Sequence, residues 1–502
     1  MSVLLSFVFM SKPPKGKIGF IFFVRCSIYI SIFYLFASPC YSASDNAFQS
    51  IKTVAEELQT PSAQYLLARM YEIGQGTEIN RKVAFDWYLA SAKQGYEKSE
   101  YRMGEIFENA LLGQSKNIQE AIMWYRKAAD KNVVEAQFRL ALIMYKDYKL
   151  FDDNYQEAVA WCLKAAANEH VDAQAMLGNI YANGRGVKKN NENALLWYEQ
   201  AAGQGHIRSA FEVAQMYEKG IGTDKNIKTS LNWYAWAAEQ GNAKAQMKLG
   251  EWYLSGELVP KNISIAKKWL SYAADANEPK AQYQLAKLLD WRKNHKNFQR
   301  AFALLENAAK RNVTHAQYDL GEYYLTKKKG KESELSAYKW LHKAAKKNHP
   351  QAQYQVAKLL LQGQYLKRNH ELGVEWMREA ANQNNVDAQY RMGFFYFKGR
   401  YLEKSAINAI NWFSKASKNG HLMATYKLGK MYKLGAGVKR DADKAIFLIQ
   451  SAAESGLVDA QLEMAQLFES GILVEGDLKK AEFWYRRALE NGSQLALDRL
   501  EN

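Results

Sequence analysis

An alanine returns at nearly fixed intervals along the 502 residues of this chain, and no other feature restricts its fold so severely. It stands at Ala63, Ala136, Ala173, Ala210, Ala245, Ala281, Ala316, Ala352, Ala388, Ala424, Ala460 and Ala496, with Ser99 filling the one gap. Steps of 35–37 residues define twelve repeats and a terminal stub. In the unit that opens at Ala173, the residues Leu177, Gly178 and Tyr181 follow at helical spacing and mark a helix A. Gly184, Arg185 and Gly186 end it, since glycine accepts the left-handed conformation of a helix stop. Ala194, Trp197, Tyr198, Ala201 and Ala202 mark a helix B, which Gly205 ends. One such unit is too small to bury a core, so stacked units must share one. The period predicts an all-α fold, a solenoid of about twelve helix-turn-helix repeats of 35–37 residues.

Three positions explain the stacking. A tryptophan recurs in helix B at Trp87, Trp124, Trp161, Trp197, Trp233, Trp269, Trp340, Trp376, Trp412 and Trp484, with Leu304 and Leu448 in its place in two repeats. These indoles are the expected stacking core, because each buries a large area at the same height of its layer. A small pair follows four and five residues later, such as Ala128 and Ala129, and lets the neighbouring helix approach closely. Eight residues after the tryptophan position comes Gly (95, 205, 241, 420, 456, 492) or Asn (132, 277, 312, 348, 384), the residues most tolerant of positive φ. Glu169 alone departs. The repeats are expected over residues 63–492, between an N-terminal capping helix in 43–62 (helical over 46–60) and a C-terminal capping helix in 493–502.

Residues 1–42 differ from the rest. Lys12, Lys15 and Lys17 precede an apolar or small run from Cys26 to Ser38, and Pro39 breaks any helix there. Small residues then stand at −3 and −1 of a cut after Ser42. This is the pattern of a secretory signal peptide, which places the protein in the periplasm or outside the cell. The competing reading is an uncleaved membrane anchor over residues 18–38, interrupted by Arg25. Of three cysteines, Cys26 and Cys40 lie in the leader, so a cut chain keeps Cys162 alone and has no disulfide.

The motif Ala173-Gln174, Leu177-Gly178, Tyr181, Gly184-Arg185-Gly186-Val187, Ala194, Trp197-Tyr198, Ala201-Ala202, Gly205 resembles the Sel-1-like repeat (SLR) family, a tetratricopeptide-repeat-like group. Residues 424–437 and 210–222 match nearly as well, and the resemblance covers residues 61–492. It implies a right-handed α-solenoid whose concave face, lined by the A helices, receives other proteins. Bacterial members with export signals look like host-interaction or envelope-assembly factors. A cysteine-rich branch resembling penicillin-binding enzymes carries a cysteine pair in each repeat, which this chain lacks.

No catalytic constellation stands out, so the chain is read as a non-enzyme without cofactor or metal. His170, His206, His349 and His421 recur at one loop edge, but a repeat apart they are too distant to share an ion at bond lengths of about 2 Å. Glycine pairs such as Gly74 and Gly76 or Gly435 and Gly437 join helix to helix, unlike phosphate loops. Counting the repeat alanine as position 1, position 4 is often charged (Arg102, Arg139, Lys248, Arg391, Lys427), as is position 7 (Lys358, Lys430). Positions 4 and 7 share a helix face. These seven cations are the candidate protein-binding residues, set against the plain alternative of a solvated face. The glutamine that usually follows the alanine either presents amides to a bound peptide or bonds between repeats.

The expected function is an exported scaffold that binds partner proteins, with host interaction as one setting. The alternative is an envelope or surface-polysaccharide assembly factor, and a remote one is a peptidoglycan-active enzyme. Nucleic acid is not an expected partner, since the net charge of +16 is spread among interleaved acids, and no membrane contact is expected beyond the leader.

Overall fold

The computed structural model describes residues 41–146, 155–289, 297–326, 330–363 and 365–501. The leader's apolar run, the alternative anchor, and most of the glycine-poor loops expected at 145–154 and 291–297 lie outside the described residues. Twenty-six helices and no strand occur among the described residues, which makes the chain an all-α solenoid of twelve helix pairs. No helix among the described residues is long and apolar enough to cross a membrane. Two compact units divide the chain, Met1–Ser230 and Leu231–Asn502, the boundary falling inside the helix Ile227–Glu239.

Each pair is built the same way, and repeat 4 serves for all. Its A helix, Val171–Asn183, starts where the His170 Nδ1 accepts the Ala173 N–H and stops at Gly184, whose φ is +72°. The loop closes when the Asn190 N–H donates to the Tyr181 carbonyl at 3.0 Å. The Asn190 side chain then accepts the Asn193 N–H and opens the B helix, Asn191–Gly203. These caps satisfy N–H groups that a helix start leaves without partners. Asn80, Asn262, Asn369, Ser405, Asp441 and Asp477 cap other B helices in the same way.

All twelve positions eight residues after the tryptophan place have positive φ, Glu169 among them at +60°. The stop is therefore imposed by the packing of the repeat, even where the side chain resists it. Ahead of the first repeat lies the helix Tyr41–Glu57, beginning and ending earlier than the 46–60 span read from apolar spacing. Gln494–Glu501 follows the last repeat. In the fifth repeat the alanine spacing misplaces the register by one. Ser209, not Ala210, is the third residue of the A helix Ile207–Lys219, and Ala210 takes the glutamine position. The successive steps of 37 and 35 residues thus resolve into two of 36.

The first residue of the small pair is fully enclosed: Ala128, Ala165, Ala201, Ala273, Ala344 and Ala452 expose no surface. Trp124, Trp161, Trp340 and Trp484 are buried, at 5–9% exposure, while Trp87, Trp197, Trp233, Trp269, Trp376 and Trp412 are half-buried. Trp340 packs in a cluster with Leu305, Ala308 and Ala309 of the preceding repeat, and Trp124 likewise with Tyr88 and Ala92 of the repeat before it. The deepest side chain of helix B is the next residue along. Tyr88, Tyr125, Cys162, Tyr234, Leu270, Leu305, Leu341, Met377, Phe413 and Ile449 are no more than 1% exposed. Its partner on helix A is a glycine or alanine. A Cβ added at Gly178 would lie 2.4 Å from the Tyr198 ring, so no larger residue fits that approach.

Candidate protein-binding surface

The repeat glutamines are buried structural groups. Gln137, Gln174, Gln246, Gln282, Gln317, Gln353, Gln389 and Gln461 each donate from Nε2 to an alanine carbonyl at the end of the preceding B helix, at 2.9–3.3 Å. In five repeats the Oε1 accepts from an amide closing the glutamine's own B helix: Gln94 to Gln64, Gln204 to Gln174, Gln383 to Gln353, Asn419 to Gln389 and Asn491 to Gln461. Repeat 2 replaces the amides with charges. Glu100 is 3% exposed and takes a 2.6 Å bond from Lys131. Between the two readings of the glutamine, bonding between repeats is the one found.

The histidines at the loop edge are helix caps. His170, His206, His349 and His421 accept through Nδ1 from the third N–H of their A helices. Burial lowers the pKa of His206, His349 and His421, against the opposing pull of Asp172, Asp319 and Asp387 respectively. Among the described residues, no group of three His, Cys, Asp or Glu side chains is placed to hold a metal ion. Cys162 is enclosed, its Sγ 3.4 Å from the Ala173 carbonyl, and burial pushes its thiol up to about 12.

The seven candidate cations fall into two groups. Arg102 bonds Glu72 of the preceding repeat and, at 2.7 Å, Glu105, while the Tyr88 hydroxyl donates to Glu72 at 2.8 Å. Burial alone would lower the Arg102 pKa, but the two carboxylates outweigh it and raise it. Arg139 repeats the arrangement with Glu108 at 2.8 Å, where Tyr125 donates at 2.7 Å. These arginines join repeat to repeat, because the glutamate at position 10 of one A helix lies beside position 4 of the next. At the far end the polarity is reversed: Lys430 and Lys433 hold Glu463 at 3.4 and 2.7 Å. Burial would raise the Glu463 carboxyl, yet the bond from Lys433 and the two lysine charges keep it below its ordinary value. Lys248 is half-buried and also engaged within the chain.

Lys358, Arg391 and Lys427 make no ion pair among the described residues. Lys358 and Arg391, with Arg400, line one hollow floored by Leu361, Met377 and Phe395. Lys358 lies 5.4 Å from the centre of the Tyr354 ring, and Arg400 5.0 Å from that of Tyr401. Burial raises the Tyr354 phenol, and a hydrogen bond with Arg391 opposes the rise. Arg400 was missed by a reading confined to helix A, since it sits in the turn after Gly399. The matching Gly184-Arg185 turn is the signal that points to it.

Sel1 repeats match residues 61–96, 98–133, 134–170, 171–206, 207–242, 243–278, 279–313, 314–349, 350–385, 386–421, 422–457 and 458–493. A solved structure of c5321, a protective antigen present in uropathogenic Escherichia coli strains and displaying an SLR fold, is 26% identical. It covers 90% of this chain and 97% of its own, with a TM-score of 0.73. A Sel1 repeat protein from Oxalobacter formigenes is 24% identical over 76% of this chain and 89% of its own, with a TM-score of 0.31. The immunity protein Pa5087 from Pseudomonas aeruginosa is 19% identical over 43% and 81%, with a TM-score of 0.26. No curated protein matches the chain.

Proposed function

Because this chain belongs to the Sel1 repeat family, whose fold typically serves as a non-enzymatic protein–protein interaction scaffold, we propose that it is an exported scaffold binding an acidic segment of a partner protein. The segment lies along the A-helix face of repeats 9–11, on the concave side that the family fold implies. The observation that carries this reading is the hollow lined by Lys358, Arg391 and Arg400, three cations with no carboxylate of the chain paired to them among the described residues. Cations left in this state attract a negatively charged segment and speed its encounter. Lys427, one repeat on, extends the same face. Export rests on the basic and apolar order of residues 12–42. A host-facing setting rests on the likeness to c5321, a protective antigen of uropathogenic strains.

The test uses the mature chain and a fluorescein-labelled peptide rich in Glu and Asp. Anisotropy is expected to report saturable, salt-sensitive binding that Lys358→Glu, Arg391→Glu and Arg400→Glu together abolish. Unchanged binding in that triple variant would refute the site. Mass spectrometry of the exported chain is expected to find an N-terminus at residue 43. An intact leader on the exported protein would refute cleavage.

A further inference from the structure

A second site lies in the other unit and has different chemistry. A-helix position 3 carries an aromatic ring in most repeats, and that ring packs on two neighbours. It lies against the deep helix-B residue of its own repeat: Tyr65 on Tyr88 and Tyr101 on Tyr125 at 5.6 Å, Tyr390 on Phe413 at 5.8 Å. It also stacks on the histidine capping the next A helix. Phe138 covers His170 at 4.4 Å, Tyr318 covers His349 at 4.6 Å and Tyr390 covers His421 at 4.4 Å. Repeat 4 has Ala175 at this position. His206, the fourth cap histidine, stacks on no ring among the described residues. Tyr198, below it, is 7% exposed, the most of any residue at its position. The space left is a groove of about 440 Å³ whose lining includes Ala175, Met176, Tyr198, His206 and Glu212.

The junction between repeats 10 and 11 is a filled copy of this one. There the His421 Nε2 is 3.8 Å from Asp387, as the His206 Nε2 is from Asp172, and Tyr390 occupies what Ala175 leaves open. A polar partner for the ring's end is also in place. Tyr283 and Tyr426 donate their hydroxyls, at 3.1 Å each, to the acid at position 4 of the following repeat, Asp319 and Glu463. The corresponding acid after Ala175 is Glu212, which is half-buried.

We propose that the groove over Ala175 is a socket for a tyrosine side chain of a partner protein, its ring packed between Tyr198 and His206 and its hydroxyl bonded to Glu212. The stack and the floor select an aromatic ring, and the carboxylate selects phenol over phenyl.

The test titrates N-acetyl-tyrosinamide and N-acetyl-phenylalaninamide into the full chain labelled with ¹³C in its methionine methyls. The Met176 signal is assigned by its loss in Met176→Leu. The tyrosine amide is expected to move that signal saturably through the ring current, and the phenylalanine amide to bind about tenfold more weakly, the loss of one hydrogen bond. Ala175→Tyr, which restores the chain's own ring, is expected to shift the Met176 signal without ligand and to abolish the titration. Glu212→Gln, which leaves the space open, is expected to narrow the preference for tyrosine. No saturable shift, an unchanged titration in Ala175→Tyr, or equal affinity for the two amides would overturn the assignment.

Discussion

Four A helices begin on a histidine that works only as a neutral acceptor, since a protonated ring has no lone pair for the N–H it caps. Burial lowers the pKa of His206, His349 and His421 in the folded chain, so the unfolded chain takes up protons first as pH falls. Stability is therefore full above the ordinary histidine value of about 6.5 and declines as pH drops through it toward the lower folded values. The melting temperature is expected to fall between pH 7 and 5.5. Replacing the three with Asn, the cap used at Asn242 and Asn385, is expected to flatten that fall, as scanning calorimetry across the range will show. Glu169 offers a second measurement. Its φ of +60° strains a side chain where five other repeats have Asn, so Glu169→Asn is expected to stabilise by about 1 kcal/mol in urea unfolding.

At the scale of the helix pair, the two-legged amide link is complete in some repeats and half-made in others. Gln246 donates to the Ala238 carbonyl, but its buried Oε1 has no donor among the described residues because Ala276 closes that B helix. Ala276→Gln is expected to complete the link and add about 1 kcal/mol, read as a higher urea midpoint at constant slope. What the sequence made legible at this scale follows from periodicity. The helix pairs, their stops and the small pair repeat at fixed places, and local geometry puts them where the spacing says. The depth of burial did not follow. The large indole marks helix B in the sequence, yet in six repeats it is half-buried, while its smaller neighbour points straight at the Gly or Ala of helix A. The engaged state of Arg102 and Arg139 was also hidden, because their partners Glu72 and Glu108 lie about thirty residues back and bear on them only once repeats stack. The fifth repeat shows a subtler limit. Ala210 satisfied the alanine pattern, but the cap at His206 sets the register on Ser209.

For the whole molecule, eight of the eleven joints between repeats carry the same glutamine-to-carbonyl bond, so stability is expected to be close to a sum of neighbour terms. Deleting residues 386–421 joins the capping Asn385 directly to Leu422 and leaves every helix pair intact. That variant is expected to keep its mean residue ellipticity and to lose roughly one-twelfth of the denaturant slope, which follows the surface exposed on unfolding. A deletion half as long, removing one helix of a pair, is expected to collapse the helical signal. The glutamine bond carries a consequence for ancestry as well. A side chain that reaches back to a main-chain carbonyl does not depend on which residues its neighbour carries there. In-frame duplication or loss of a repeat's coding segment therefore yields a chain whose new joints are already satisfied, and the length of such a protein is free to drift while its recognition surface is reshaped one cassette at a time.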